Sequence, residues 1–244
     1  MNLAKATGDE LGLAAQIAGN NMRVFGLQTS DLGRVTDIVV TTVNKSSQTL
    51  TDYAHAASKA GPRFAQANQD IMEMSASIGI LANMGIRGSL AGTALARSIK
   101  RFADPKVQAL LDSYGVNVKN LNGELRPLHE SLADIAKVMK TLKSDERIHL
   151  AEEIFEVRGS LAGLPLTVNA EAIDQLLFKL RSAKGEAARV AEEMDSGVYG
   201  AIKRLESALN DLKIEVGAIV AESFGPWIQG FTRIFNKIRE ASPL

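Results

Sequence analysis

The chain has 244 residues, in which 28 lysine and arginine residues balance 28 aspartate and glutamate residues. This neutral balance argues against the strongly basic surface of a nucleic-acid-binding protein. The absence of cysteine excludes disulfide frameworks and thiolate metal sites. Aromatic residues make up only 5% of the chain, whereas small aliphatic residues are abundant. This composition favours closely packed helices and an all-α, multi-helix bundle of short helices.

Apolar residues recur at helical spacing through the first part of the chain and predict five helices there. The first helix is expected over residues 9–25. The third begins with Thr51 as a possible cap and is expected to stop at Gly61 and Pro62, because glycine and proline commonly end helices. The fifth helix is closed by the Asp-Pro pair at residues 104–105.

A short pattern of an apolar residue, glycine and another apolar residue recurs at three predicted helix ends, at Gly26, Gly85 and Gly115. Glycine adopts the left-handed conformation there at little steric cost. The apolar residue that follows can then fold back onto the last turn of the helix. We therefore interpret these glycines as structural turns between helices.

The hexapeptide RGSLAG occurs twice, at residues 87–92 and 158–163. A phosphate-binding loop would need a lysine directly before the serine or threonine and a strand before the loop, and neither copy has these features. We therefore interpret the hexapeptide as a corner between helices. Gly88 and Gly159 are expected to turn the chain, and the closing Ala-Gly pair is expected to let the next helix approach a neighbour closely.

The helical rhythm is interrupted after Gly115. Asn122 and Gly123 lie between Val118 and Leu125, which is a signal for a β-hairpin. We therefore expect one small β-hairpin near residues 116–126. Apolar spacing after this segment predicts three further helices.

The last part of the chain has a different pattern, with apolar residues spaced alternately by four and three. This spacing predicts a long amphipathic helix that packs lengthwise on a partner. The expected organisation is a compact helical module at 1–183 and a long C-terminal helix at 184–244, kinked or broken near Pro226. The residues that form the seam are Val198, Ile202, Leu205, Leu209, Leu212, Val216 and Ile219.

An apolar cluster follows Pro226 and includes the only tryptophan. It is a candidate interaction surface, and burial against the rest of the protein is the alternative. The residues of this cluster are Trp227, Phe231, Ile234 and Phe235.

No arrangement of reactive side chains stands out in the sequence. The three histidines, His55, His129 and His149, lack the spacing of a metal-binding pair. Adjacent glutamates on a helix point about 100° apart and do not converge on one substrate. We predict no catalytic, metal or cofactor site and no enzymatic activity.

Residues 78–105, IGILANMGIRGSLAGTALARSIKRFADP, closely resemble the signature of the core-region family of phage tail tape measure proteins. The shared features are Leu-Ala-Asn at 81–83, the Gly-Ser turn at 88–89 and Ala-Asp-Pro at 103–105. The similarity extends over roughly residues 10–225.

This resemblance implies a non-enzymatic structural protein of a phage or prophage virion that helps to set tail length and to assemble the tail. The implied partners are tail tube and tail-tip or baseplate proteins and tail assembly chaperones, and self-association stays open. The implied location is the phage tail, with the host cytoplasm during assembly. The resemblance implies neither a cofactor nor nucleic-acid binding.

Two other functions are alternatives. A membrane-active helical module that acts during genome ejection would need about 20 apolar residues for each membrane span. The longest uncharged stretch, residues 74–86, has 13, so we expect no membrane span. A cell-wall-cleaving enzyme would need a catalytic glutamate or histidine in a pocket. Within the tape measure interpretation, the glycine and proline corners favour a compact module over an extended measuring rod.

Overall fold

The structure, a computed structural model, describes residues 11–186 and residue 189. Within this part of the chain there are nine α-helices, one short 3-10 turn and no strand. The predicted all-α class is therefore confirmed for the described residues. The helices are α1 (Leu11–Val24), α2 (Leu32–Asn44), α3 (Leu50–Gln66), α4 (Ile71–Asn83), α5 (Gly88–Phe102), α6 (Pro105–Ser113), α7 (Leu128–Thr141), α8 (Ser144–Val168) and α9 (Ala170–Arg181).

Almost all of the predicted C-terminal domain, 184–244, lies outside the described residues. The long helix, its break near Pro226 and the candidate apolar surface that begins at Trp227 all fall there. These features and the domain boundary stay predictions.

Helix α4 is the centre of the bundle. Every residue from 73 to 82 is buried, because α2, α3, α5, α8 and α9 all pack around this helix. A helix that is apolar on all sides is expected in such a position. The hydroxyl of Ser75, one of the two buried serines of α4, lies 2.8 Å from the hydroxyl of Tyr53, and burial raises the pKa of Tyr53 to about 12.

Helix α3 differs from the sequence prediction at both ends. Its cap is Thr49, whose hydroxyl accepts the backbone N–H of Asp52 at 3.1 Å, while the Asp52 carboxylate accepts the N–H of Thr49. The predicted stop at Gly61 and Pro62 is wrong, since the helix continues to Gln66. A proline inside a helix costs about 3 kcal/mol or more, and the complete burial of Phe64 beyond it contributes about 1.5–3 kcal/mol against this cost.

Helix α5 packs most extensively against α3, and the two backbones almost touch at Gly92. A β-carbon added at Gly92 would overlap the carbonyl oxygen of Ala56. The following turns of α5 bury Leu95, Ile99 and Phe102 in the core. The absence of a side chain at Gly92 therefore sets the distance between α3 and α5.

The expected β-hairpin near 116–126 is not confirmed. The segment contains one isolated antiparallel bridge, between Lys119 and Leu125, and no strand. The turn has three residues rather than two, because the N–H of Asn120 donates to the carbonyl of Glu124 at 2.9 Å. Gly123 closes this turn with φ +81. The chain before the turn packs its apolar side chains into the bundle, which leaves no length for a ladder of paired residues.

Replacing Gly92 with alanine is expected to lower the free energy of unfolding by about 1–3 kcal/mol, because α3 and α5 must move apart to admit the methyl group. Denaturant titration of the purified chain measures this change. Gly19→Ala is the matched control, since a β-carbon at Gly19 meets nothing within 4 Å and alanine is favoured over glycine inside a helix by up to about 1 kcal/mol. Equal stability of Gly92→Ala and the unmodified chain would contradict the close approach.

Candidate functional site

Three of the predicted turn glycines share one geometry. Gly26, Gly85 and Gly115 follow α1, α4 and α6, with φ angles of +62, +82 and +76. In each case the apolar residue after the glycine donates its N–H to a carbonyl five residues earlier, at 2.8 to 2.9 Å. This is the Schellman arrangement, which satisfies the last carbonyls of a helix.

The two copies of the hexapeptide turn the chain differently. In the first copy, Gly88 has φ +57 and begins α5. In the second copy, Gly159 lies within α8 and has no positive φ. The turn lies three residues earlier, at Glu156, where φ is +56 and ψ is 168. A glutamate in this conformation carries no glycine signal, so sequence reasoning missed it.

The last glycine of each copy has the same role, because its lack of a side chain leaves room for a neighbouring group. Gly92 faces the backbone of α3, and a β-carbon on Gly163 would overlap the ring of Phe155. That ring packs edge-on against Phe102 of α5, with centroids 5.9 Å apart. Both copies therefore belong to the packing around α5.

Arg101 holds α5 to the break in α8. Its Nε donates to the carbonyl of Ile154 and its Nη2 to the carbonyl of Glu153, both at 2.9 Å. Its Nη1 lies 2.7 Å from the carboxylate of Asp104 and 2.9 Å from that of Glu156. The guanidinium group thus satisfies backbone carbonyls next to the break, and the break is fixed by a side chain from another helix.

A polar cluster joins α4 to α7 at a cleft of about 290 Å³. The amide oxygen of Gln69 accepts the N–H of Leu128 at 2.8 Å, and the carboxylate of Glu73 accepts the N–H of His129 at 3.3 Å. The side-chain amide of Gln69 also donates to the carbonyl of Arg126 at 3.2 Å. The first amides of α7 are therefore capped by side chains more than 50 residues away in the sequence.

His129 is the most constrained histidine of the described residues. Its Nδ1 lies 2.5 Å from Oε1 of Glu73, and its Nε2 lies 3.8 Å from Oδ1 of Asp174. The hydrogen bond to the Glu73 carboxylate raises the pKa of His129, although burial opposes this effect. His55 and His149 are exposed.

The cluster around His129 is suited to holding helices together. Each ring nitrogen faces a carboxylate, and the hydrogen bonds of Glu73 are directed at His129 itself. Nucleophilic catalysis would need a nucleophile within hydrogen-bond distance of the base, and the contacts of the ring include none. Within residues 11–186, no three or more acidic, histidine or cysteine side chains are grouped to hold a metal ion.

No helix among the described residues has both the length and the apolar character needed to cross a membrane.

Comparison with known proteins identifies the family. Residues 1–156 match the family described as phage-related minor tail protein, which is nearly two thirds of the chain. The chain belongs to the phage-related minor tail protein family. The match includes the central α4 and both of the helices that meet at Gly92.

Two relatives of this minor tail protein chain are named as tape measure proteins. The "Tape measure protein" of Pneumococcus phage Dp-1 is 26% identical over 249 residues, which cover 100% of this chain and 22% of the relative. The "Probable tape measure protein" of Escherichia phage P2 is 24% identical over 214 residues, covering 85% of this chain and 26% of the relative. These matches confirm the resemblance found in the sequence. The chain spans about a quarter of the length of these relatives, and no solved structure matches it significantly.

The His129–Glu73 pair predicts a pH-dependent contribution to stability. Because folding raises the pKa of His129 above its ordinary value of 6.5, this contribution is fully present below pH 6.5 and is lost as the pH rises through the folded-state pKa. Melting temperatures of the unmodified chain and His129→Gln between about pH 5 and pH 9 test this. Their difference is expected to be largest at the acidic end.

His149→Gln is the control for that series, because His149 is exposed, and its melting temperature is expected to follow the unmodified chain at every pH. A difference between His129→Gln and the unmodified chain that does not change with pH would show that the pair contributes no charge-dependent stability.

The two glycines of the second hexapeptide allow a matched comparison. Gly163→Ala is expected to cost about 1–3 kcal/mol of unfolding free energy, because the methyl group displaces the buried ring of Phe155. Gly159→Ala is expected to change the free energy of unfolding by less than about 1 kcal/mol, since the nearest atom to a β-carbon at Gly159 is 3.7 Å away. Denaturant titration measures both, and the reverse order of stabilities would show that the packing around Phe155 is misassigned.

Proposed function

We propose that this chain is a folded, non-enzymatic module of a phage tail tape measure protein, which acts in tail assembly and in setting tail length. The observation that carries the proposal is the match of residues 1–156 to the phage-related minor tail proteins. The names of the two relatives point to the same role.

The packing supports a folded module over an extended rod. The hydrophobic core draws residues from α1 to α9 and leaves no described helix without a contribution. As one straight helix, residues 11–186 would span about 260 Å at 1.5 Å per residue. Extending the bundle to that length would expose the whole core to water, at about 25 cal/mol for each Å² of apolar surface.

The proposed partners are the tail tube, tail-tip or baseplate proteins and tail assembly chaperones, with self-association as a further possibility. The proposed location is the phage tail, and the host cytoplasm while the tail is assembled. The polar clusters around Arg101 and His129 support a role without catalysis, because their hydrogen bonds are directed at neighbouring helices. The apolar residues from Trp227 to Phe235 remain a candidate surface for one of these partners. No observation on the described residues favours the membrane-active alternative.

An in-frame second copy of residues 11–186, inserted through flexible linkers into the tape measure gene of the phage, tests the proposal. A folded module is expected to lengthen the tail by much less than the roughly 260 Å of an extended helix. Electron microscopy of purified phage measures tail length. An insertion of equal residue number that forms a coiled coil is the control and is expected to add close to that full length.

A lengthening of about 260 Å by the duplicated segment would contradict the folded module and make these residues part of the measuring rod. In a second strain the segment is deleted in frame. Fewer or misassembled tails are expected, and tails of normal number and length would contradict a structural role for this part of the chain.

A further inference from the structure

A basic cleft opens where the ends of α3 and α5 meet the loop that follows α6. Its volume is about 520 Å³. Arg63, Lys100 and Lys119 contribute positive charges to its lining, and Glu124 contributes a negative one. These four residues come from three separate parts of the chain, and the fold brings them together.

No carboxylate of the described residues forms an ion pair with the cations of the basic cleft, Arg63, Lys100 and Lys119. Arg97 also forms no ion pair among the described residues. It lies one helical turn before Lys100 and lines an adjoining cleft, to which Lys100 also contributes. Arg101, the residue after Lys100, differs, because two carboxylates bind it.

The negative ends of the helix dipoles explain the positions of only some of these cations. Arg63 and Lys100 lie in the last turns of α3 and α5, where each helix end carries about half a negative charge. Arg97 lies one turn earlier and Lys119 lies in a loop, so neither serves a helix end. With Glu124 and both helix ends counted, the basic cleft keeps a net positive charge of about one.

An exposed leucine stands beside the basic cleft. Leu121 occupies the three-residue turn between Asn120 and Glu124 and is fully exposed. The turn is held in one conformation, because the side-chain oxygen of Asn120 accepts the N–H of Asn122 at 2.9 Å and that of Glu124 at 3.0 Å. Turn positions favour polar residues and glycine, and neither the turn nor the core requires a leucine here.

We propose that the basic cleft and Leu121 form one docking surface for an acidic protein segment that places a large apolar side chain beside its carboxylates. The carboxylates meet Arg63, Lys100 and Lys119, and the apolar side chain removes Leu121 from water. Surplus positive charge accelerates the encounter, and the apolar contact slows release. A nucleic-acid backbone would use the charges and leave Leu121 exposed, so the combination favours a protein segment.

Fluorescence anisotropy with the 244-residue chain tests this surface. The first probe is a labelled helical peptide of about 14 residues, or four helical turns, built from glutamate and leucine. The second is the same peptide with alanine in place of leucine. The third is a DNA duplex of about 20 base pairs. The tested variants are Lys100→Glu with Lys119→Glu, and Leu121→Ser. The control is Phe178→Ser with Lys179→Glu, which removes one exposed apolar residue and one cation from α9, away from the cleft.

The glutamate–leucine peptide is expected to bind more tightly than the alanine peptide. The charge reversal and Leu121→Ser are each expected to weaken its binding by about tenfold, and the α9 control by less than about twofold. Circular dichroism melting verifies that every variant is folded. Absence of peptide binding, equal weakening by the α9 control, or no effect of Leu121→Ser would overturn the proposal. Tighter binding of the duplex, lost on charge reversal and unaffected by Leu121→Ser, would assign the cleft to nucleic acid instead.

Discussion

The architecture depends on the close approach of α5 to α3 at Gly92. The carbonyl of Ala56 occupies the place where a β-carbon of Gly92 would lie. Because the two helices are this close, α5 can bury Leu95 and Phe102 in the core. The opposite side of the same helix then holds α8, through the hydroxyl of Ser98 and the guanidinium of Arg101. Helix α5 thus connects α3 to α8, and a change in its distance from α3 would be transmitted to α8.

Polar contacts complement this apolar packing at the points where helices end or break. Arg101 satisfies carbonyls beside the break at Glu156, and Gln69 and Glu73 cap the first amides of α7. Buried backbone groups without partners are costly, so these side chains let short helices end inside the bundle. The polar clusters around Arg101 and His129 thereby have a structural use.

The sequence predicted local features well because local rules determine them. Apolar spacing identified α9, whose Ile173 and Leu177 are buried, and the glycine pattern located the turn after α4. Features that depend on tertiary packing were missed. Pro62 lies inside α3 because buried Phe64 follows it, and the break at Glu156 depends on Arg101 from another helix. The basic cleft combines three distant segments, so no local pattern reveals it.

We expect α3, α4 and α5 to unfold as one cooperative unit, because α5 meets α3 at Gly92 and both helices pack on α4. Native-state amide hydrogen exchange, followed helix by helix in increasing denaturant, measures this most directly. The account predicts that the buried amides of these three helices are the slowest of the described residues and exchange together, at the free energy of global unfolding. If the amides of α5 exchanged at a clearly lower free energy than those of α3 and α4, the three helices would not form one cooperative unit.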